Sequence, residues 1–134
     1  WAFATLLCRH RPLLQSIAAA AIRRISDFLH QDIANTAWAF AKLGFADAPL
    51  LSSLSAAALR PISAFVAQDL ANTAWALSAF GVSHAPLRDS ISASAIPTIS
   101  DFVGQNCSNT AWSLAVLDIR DEPLLASLSA RSIR

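Results

Sequence analysis

The 134-residue sequence has no tyrosine and no methionine, and it contains only three glycines and two cysteines. Charged residues make up 14% of the chain, whereas they form about 25% of an average globular domain. The net charge is +1, and a domain that binds nucleic acid through its phosphates is normally far more basic. The low content of charged residues therefore weighs against binding of a nucleic acid mainly through electrostatic attraction.

The sequence also lacks the signatures of metal binding, catalysis and membrane insertion. Cys8 and Cys107 fit neither a disulfide framework nor a zinc site, and we expect two buried thiols. No histidine has the spacing of a zinc ligand, no glycine-rich phosphate loop occurs, and no apolar run approaches the ~18 residues that span a bilayer. We therefore expect no enzyme activity, no cofactor, no metal, no small-molecule substrate and no membrane insertion.

The dominant feature of the sequence is an internal repeat with a period of 37 residues. The tryptophans that mark it are Trp1, Trp38, Trp75 and Trp112. Phenylalanines at 28, 65 and 102 and prolines at 12, 49, 86 and 123 keep the same interval. The units are 1–37, 38–74, 75–111 and the incomplete 112–134. The first unit starts in mid-helix, so we expect a segment of a longer array, with any transit peptide outside it.

Each unit is predicted to form two helices. The first runs from about Asp32 to Leu43 in the first copy, with its apolar residues on one face. Its start signals are Asp32, Asp69 and Asn106, and its stop signals are Gly44 and Gly81, with Asp118 in the third copy. The second helix begins near Pro49, because proline is tolerated in a first turn. Pro61 and Pro97 predict a kink, or a break into a short third helix.

A single helix pair cannot bury both of its faces, whereas stacked neighbours can. The predicted fold is therefore all-α, a right-handed α-solenoid of 37-residue helix pairs. We interpret the repeated aromatic residues as its structural core: Trp1, Trp38, Trp75, Trp112, Phe28, Phe65 and Phe102. Stacking of the tryptophans on RNA bases is the alternative for those side chains.

Polar residues that recur on the outer face of the first helix are candidates for ligand contact. On a helical wheel, Asn35 and Lys42 point away from the apolar face of Ile33. The repeated asparagines, Asn35, Asn72 and Asn109, either link the units by hydrogen bonds or contact bases and phosphates. Lys42 belongs to a column that varies between units (Thr5, Lys42, Ala79 and Val116). That column either selects bases, as in repeat proteins that read one base per unit, or tolerates any surface residue.

Arginines form a further column near the end of the second helix. Arg23, Arg60 and Arg134 share one column of the repeat, which Pro97 interrupts, and Arg24 lies beside Arg23. One cation per unit can follow a phosphate backbone. The alternative is a solvated face whose charges are partly paired with aspartates.

The run QDLANTAWAL at residues 68–77 resembles the signature of heptatricopeptide and octotricopeptide repeat proteins. Related runs occupy 31–38 and 105–112. That resemblance implies an organellar protein of a mitochondrion or plastid, in a family whose members often carry a RAP domain. It further implies binding of single-stranded organellar RNA during transcript processing, stability, translation or ribosome assembly. The alternative is a protein–protein scaffold in a large organellar complex, such as a ribosome or photosynthetic assembly, which the near-zero net charge favours.

Overall fold

A computed structural model describes residues 10–133, and Trp1, Thr5, Cys8 and Arg134 lie outside that range. The described residues form seven α-helices and no strand, so the all-α prediction is confirmed for them. The helices are α1 (Arg11–Arg24), α2 (His30–Leu43), α3 (Ala48–Leu59), α4 (Ala67–Ala79), α5 (Ala85–Ala95), α6 (Gly104–Val116) and α7 (Glu122–Ser132). Three short 3-10 helices are Ile25–Asp27, Ile62–Ala64 and Ile99–Asp101.

Equivalent elements begin at intervals of 37 residues throughout the described range. Helices α2, α4 and α6 begin at residues 30, 67 and 104, and α1, α3, α5 and α7 begin at 11, 48, 85 and 122. Helix α2 packs against α4 and α4 against α6, while α1 packs against α3 and α3 against α5. Each even-numbered helix also contacts the odd-numbered helix that follows it in the chain. The helices therefore form two rows: we call α2, α4 and α6 the inner row, and α1, α3, α5 and α7 the outer row.

The inner-row helices begin two residues before the predicted start. An acidic or amide side chain in the third helical position accepts a hydrogen bond from the backbone N–H that precedes the helix, which is one half of a capping box. The donor–acceptor pairs are Leu29 with Asp32 at 2.9 Å, Val66 with Asp69 at 3.2 Å and Val103 with Asn106 at 3.0 Å. Asp32, Asp69 and Asn106 were therefore correctly identified as start signals, but each lies within the first turn of its helix and not before it.

The outer-row helices share a different N-terminal cap. The residue before each helix accepts a hydrogen bond from a leucine N–H three residues later, through an imidazole nitrogen or a carboxylate oxygen. The pairs are His10 with Leu13 at 3.1 Å, Asp47 with Leu50 at 2.9 Å, His84 with Leu87 at 3.2 Å and Asp121 with Leu124 at 3.0 Å. This role explains why His10 and His84 share a column of the repeat with two aspartates.

The outer-row helices end where the prolines predicted a break, but proline is not required for that break. Helix α3 ends before Pro61 and α5 before Pro97, and a 3-10 helix follows each. Helix α1 ends in the same way at Arg24, where the first unit has no proline. In all three units the next residue after the 3-10 helix is an extended phenylalanine. Because Phe65 and Phe102 are buried and Phe28 is half-buried against the core, we attribute the break to the docking of this phenylalanine.

The inner row packs closely through alanine. Ala34, Ala37, Ala71 and Ala76 are all buried, and their small side chains allow the helix backbones to approach one another. One polar contact also crosses this row, since His30 Nδ1 lies 2.7 Å from Asp69 Oδ2. The next interface lacks that contact, because Ala67 takes the place of His30 and Asn106 that of Asp69.

The prediction that the tryptophans belong to the packing core is wrong for the described ones. Trp38 and Trp75 are only half-buried, and the Trp112 side chain is 46% exposed. The core instead contains the phenylalanines and a continuous set of leucine, isoleucine and alanine side chains. Trp38 lies five residues after Ile33, which is 140° around an ideal helix from that buried residue. The tryptophans are therefore on the outer face with the asparagines.

We expect truncation of Phe102 to cost far more stability than truncation of Trp112. Phe102 is 1% exposed, and removal of a buried phenylalanine ring costs about 3–5 kcal/mol. Trp112→Ala leaves no closed cavity. It should therefore lower the free energy of unfolding by only about 1 kcal/mol, mainly because ring stacking is lost. Urea unfolding followed by far-UV circular dichroism measures both values. Equal losses for the two variants would place the indole in the core after all.

The inner-row helices end in the left-handed conformation, with φ of +64° at Gly44 and Gly81 and +51° at Asp118. A residue with a Cβ is strained there by roughly 1 kcal/mol. We therefore expect Asp118→Gly to raise the free energy of unfolding by up to about 1 kcal/mol, and Gly81→Ala to lower it by about the same amount. Thermal unfolding checks both, and a destabilised Asp118→Gly variant would show that the Asp118 carboxylate has a structural role of its own.

Candidate binding face

One face of every inner-row helix is turned away from the core and carries the same pattern of residues. In α2 these are Gln31, Asn35, Trp38 and Lys42, which are separated by four, three and four residues and so share one side of the helix. The equivalent residues are Gln68, Asn72, Trp75 and Ala79 in α4, and Gln105, Asn109, Trp112 and Val116 in α6. We call this surface the ladder face.

The three predicted asparagines lie together. Asn35, Asn72 and Asn109 line a single open groove of ≈ 880 Å³, together with Gln68, Gln105 and Trp38. Within residues 10–133, none of the three asparagine side chains forms a hydrogen bond to another residue. The prediction that they link the units by hydrogen bonds therefore finds no support there, and each amide keeps its donors and acceptor for a partner.

The indoles form a second ladder beside the amides. The rings of Trp75 and Trp112 are stacked, with centroids 6.0 Å apart and an interplanar angle of 27°. Lys42 Nζ lies 5.8 Å from the ring centroid of Trp38 and 5.8 Å from that of Trp75. A cation at this distance is attracted by the electron-rich faces of both rings. Lys42 is thus exposed but already has two partners.

An exposed apolar column borders the ladder face, and the sequence reasoning missed it. Leu29, Val66 and Val103 directly precede the inner-row helices and are 68%, 56% and 60% exposed. Val66 and Val103 also line the asparagine groove. Such a row of exposed apolar side chains is typical of a surface that contacts another macromolecule. Its signal in the sequence was an apolar residue at each 37-residue interval, three positions before a capping Asp or Asn.

The groove has almost no charge, and the predicted arginines lie elsewhere. Its lining includes one carboxylate, Asp101, and no lysine or arginine. Arg23 and Arg24 occupy the last turn of α1, where the helix dipole favours cations. Arg60 lines a separate groove, which Phe28 and Ile33 also line. The predicted set of RNA-binding residues is therefore divided between two surfaces: the asparagines and Lys42 share the ladder face, and the arginines do not.

The described residues contain no cluster of His, Cys, Asp or Glu side chains that could hold a metal ion. Cys107 is a buried free thiol. None of the described helices is long and apolar enough to cross a membrane. The chemistry that the ladder face does offer is non-covalent: amide hydrogen bonds, indole surfaces, and apolar contacts along its border.

The whole chain, residues 1–134, matches the model of a protein family described as RNA-editing substrate-binding complex 6 protein, RESC6. No curated protein matches the chain significantly. The family match shows that the assignment to heptatricopeptide or octotricopeptide repeat proteins was wrong. The expected association with a RAP domain and the plastid rested only on that assignment.

The physical reason for the error is that the run at 68–77 consists mainly of residues that fold the helix. Asp69 caps α4, and Leu70, Ala71 and Ala76 are buried in the core. Such capping and packing residues also suit other closely stacked arrays of short helices, so the run is not specific to one family. The full-length match does identify the family, and the chain belongs to the RESC6 family.

Proposed function

We propose that this chain is a helical scaffold subunit of an RNA-editing substrate-binding complex and that its ladder face holds a protein partner. The observation that carries this proposal is the groove lined by Asn35, Asn72 and Asn109, which is open, rich in unpaired amides and free of lysine and arginine. A phosphate backbone would leave its charges uncompensated in such a groove. A polypeptide, in contrast, offers a neutral backbone with one donor and one acceptor per residue.

The apolar border supports a protein partner as well. Leu29, Val66 and Val103 are spaced along the same direction as the amides and are largely exposed. A protein–protein interface typically joins an apolar centre to a polar region with hydrogen bonds. The ladder face with its border has this composition.

We also propose that the architecture is a right-handed α-solenoid of 37-residue helix pairs. Two observations support it: equivalent helices begin at constant intervals, and each inner-row helix packs against the next one along the chain. In such an array the units are 1–37, 38–74, 75–111 and 112–134. Solenoid proteins typically bind their partners on an extended concave surface.

A scaffold of this type needs no active site, and we propose that the chain has no catalytic activity. Its polar residues recur from unit to unit, whereas catalysis normally needs a single constellation of unlike groups. We further propose that the module works in an organelle, and the RNA-editing association of the family favours the mitochondrion.

Binding of single-stranded RNA is the second candidate function. It is favoured by the indole ladder, since aromatic side chains stack on bases, and by the asparagine groove, since an asparagine amide can pair with an adenine edge. The name of the family describes a complex that binds the substrates of RNA editing. In this candidate, Lys42 supplies the only cation of the ladder face in the described units, and the arginines of the outer row contribute nothing to the groove.

Two lysines introduced into the groove distinguish a protein partner from single-stranded RNA. Gln68→Lys with Gln105→Lys places two ammonium groups among the asparagines, and both glutamines are exposed. We expect the double variant to bind the protein partner about tenfold more weakly, a loss of about 1.4 kcal/mol. The measurement is affinity purification of the tagged full-length protein from its native source, with and without nuclease, followed by quantification of co-purifying proteins.

Gln15→Lys with Ala93→Lys is the matched control, because it adds the same charge on exposed outer-row positions. The control should retain a stoichiometric protein partner that survives nuclease treatment. If the partners of the wild type are lost with nuclease, and Gln68→Lys with Gln105→Lys tightens binding to a single-stranded RNA and steepens its salt dependence, the RNA candidate replaces the scaffold.

A further inference from the structure

The asparagine groove crosses all three inner-row helices and offers the same chemistry at each of them. Its lining includes five carboxamides, which belong to Asn35, Asn72, Asn109, Gln68 and Gln105. Within residues 10–133, none of these five side chains has a hydrogen-bond partner in the chain. Each carboxamide carries two N–H donors and one carbonyl acceptor. The groove therefore presents a row of unpaired amides along the direction in which the units stack.

The spacing of this row is set by the packing of the inner-row helices. Helix α2 packs against α4, and α4 packs against α6. Axes of packed helices are about 8–10 Å apart. Equivalent side chains, such as those of Asn35, Asn72 and Asn109, therefore recur at about that interval along the groove. A polypeptide that makes the same contact at every helix must have a structural period of similar length.

The regular conformations of a polypeptide differ in this period. An α-helix repeats every turn of about 5.4 Å, and its backbone carbonyls are already paired within the helix. A β-strand returns to the same side every two residues, or about 6.7 Å. A polyproline II helix returns every three residues, or about 9.3 Å, and its carbonyls have no internal partners. Of these three conformations, only polyproline II matches the interval of the helices and offers a free carbonyl at each one.

The charge of the groove is also complementary to a proline-rich segment. Asp101 is the one charged residue that lines the groove in the described part of the chain. A segment with several charged side chains would leave them without partners there, whereas a run of proline and small polar residues has no charge to compensate. Because proline also lacks a backbone N–H, such a segment has few donors that the groove must satisfy, and its carbonyls accept hydrogen bonds from the carboxamides.

Apolar side chains in the groove suit pyrrolidine rings. Val66 and Val103 line the groove and are 56% and 60% exposed. The half-buried indole of Trp38 lines it as well. Grooves that bind polyproline II segments typically combine aromatic side chains with hydrogen-bond donors, and the preformed helix loses little conformational entropy on binding. The asparagine groove has both components.

We propose that the asparagine groove binds a proline-rich segment of a partner protein in the polyproline II conformation, with a proline at every third residue. About seven residues of such a helix reach across α2, α4 and α6. The prolines of one side pack on the apolar residues of the groove, and the backbone carbonyls accept hydrogen bonds from the asparagine and glutamine amides. This inference rests on the proposed function, since it names the chemistry of the partner on the ladder face.

The test compares two capped, uncharged ten-residue peptides of identical composition, four prolines and six serines. The first peptide has proline at every third residue, and the second has it at every second residue followed by a run of serine. The ¹⁵N resonances of the groove carboxamides and of the Trp38 indole report binding, so that millimolar affinity is measurable. We expect the first peptide to shift these resonances and to bind at least about fivefold more tightly, because only its prolines share one side of a polyproline II helix.

A matched pair of variants locates the binding site. Gln68→Ala removes one carboxamide from the groove and should weaken the first peptide by about fivefold, the effect of one lost hydrogen bond. Gln15→Ala makes the same substitution at an exposed position of outer-row helix α1, and it should bind the peptide as the wild type does. The backbone amide spectrum of each variant checks that it is folded.

The proposal is overturned if neither peptide shifts the groove resonances at millimolar concentration, if both peptides bind alike, or if Gln68→Ala binds the first peptide as tightly as Gln15→Ala does. It is also overturned if a single-stranded oligouridine shifts the groove carboxamides and the first peptide cannot compete with it. If the purified full-length protein still retains a nuclease-resistant protein partner in any of these cases, only the polyproline inference has failed and the scaffold function stands.

Discussion

Close packing of the inner row is the constraint on which the rest of this structure depends. Helices α2, α4 and α6 have only 13 or 14 residues, which is marginal for an isolated helix in water. They gain stability by packing against one another through buried alanines such as Ala34 and Ala71. Such contacts occupy the flanks of each helix and the side that faces the outer row. The remaining side of each inner-row helix packs against no other helix and faces away from the core.

The ladder face is a direct consequence of this geometry. Because each unit repeats the last, a residue on the free side of one helix has equivalents on the next helices at a constant offset. Single asparagines and tryptophans thereby become rows of amides and rows of indoles. A change in one unit, such as Ala79 in place of Lys42, alters one position of a row without disturbing the stacking beneath it. Residues in the outward-facing rows can therefore differ between units, whereas stability depends on the alanines, leucines and phenylalanines.

Much of the local structure could be predicted from the sequence, because each helix signal recurs in three or four units. The period, the two helices of each unit and the glycine stops follow from spacing and from backbone chemistry. The helix starts were displaced by two residues, because Asp32 and its equivalents cap from within the first turn. The break in the outer-row helices was located correctly but attributed to proline, whereas Arg24 shows that the same break forms without one.

The candidate binding face was harder to predict, for two physical reasons. The tryptophans were assigned to the core because they recur beside a small alanine in every unit, although the helical wheel that placed Asn35 outside also places Trp38 there. The arginines were grouped with the asparagines because both recur, but recurrence gives no information about which row of helices a residue occupies. Family membership could not be inferred from the run at 68–77, since its capping and packing residues suit any closely stacked helical array.

The most direct test of the account is to lengthen the array by one unit. A second copy of residues 67–103 inserted after Val103 preserves every helix junction, because Gly104 and Ala67 are equivalent positions. If neighbouring units stabilise one another, the longer chain will unfold at a higher urea concentration, with a larger denaturant m-value and an unchanged helical signal per residue. An inserted unit that leaves the midpoint and the m-value unchanged, or that remains unfolded beside a native remainder, would contradict the account.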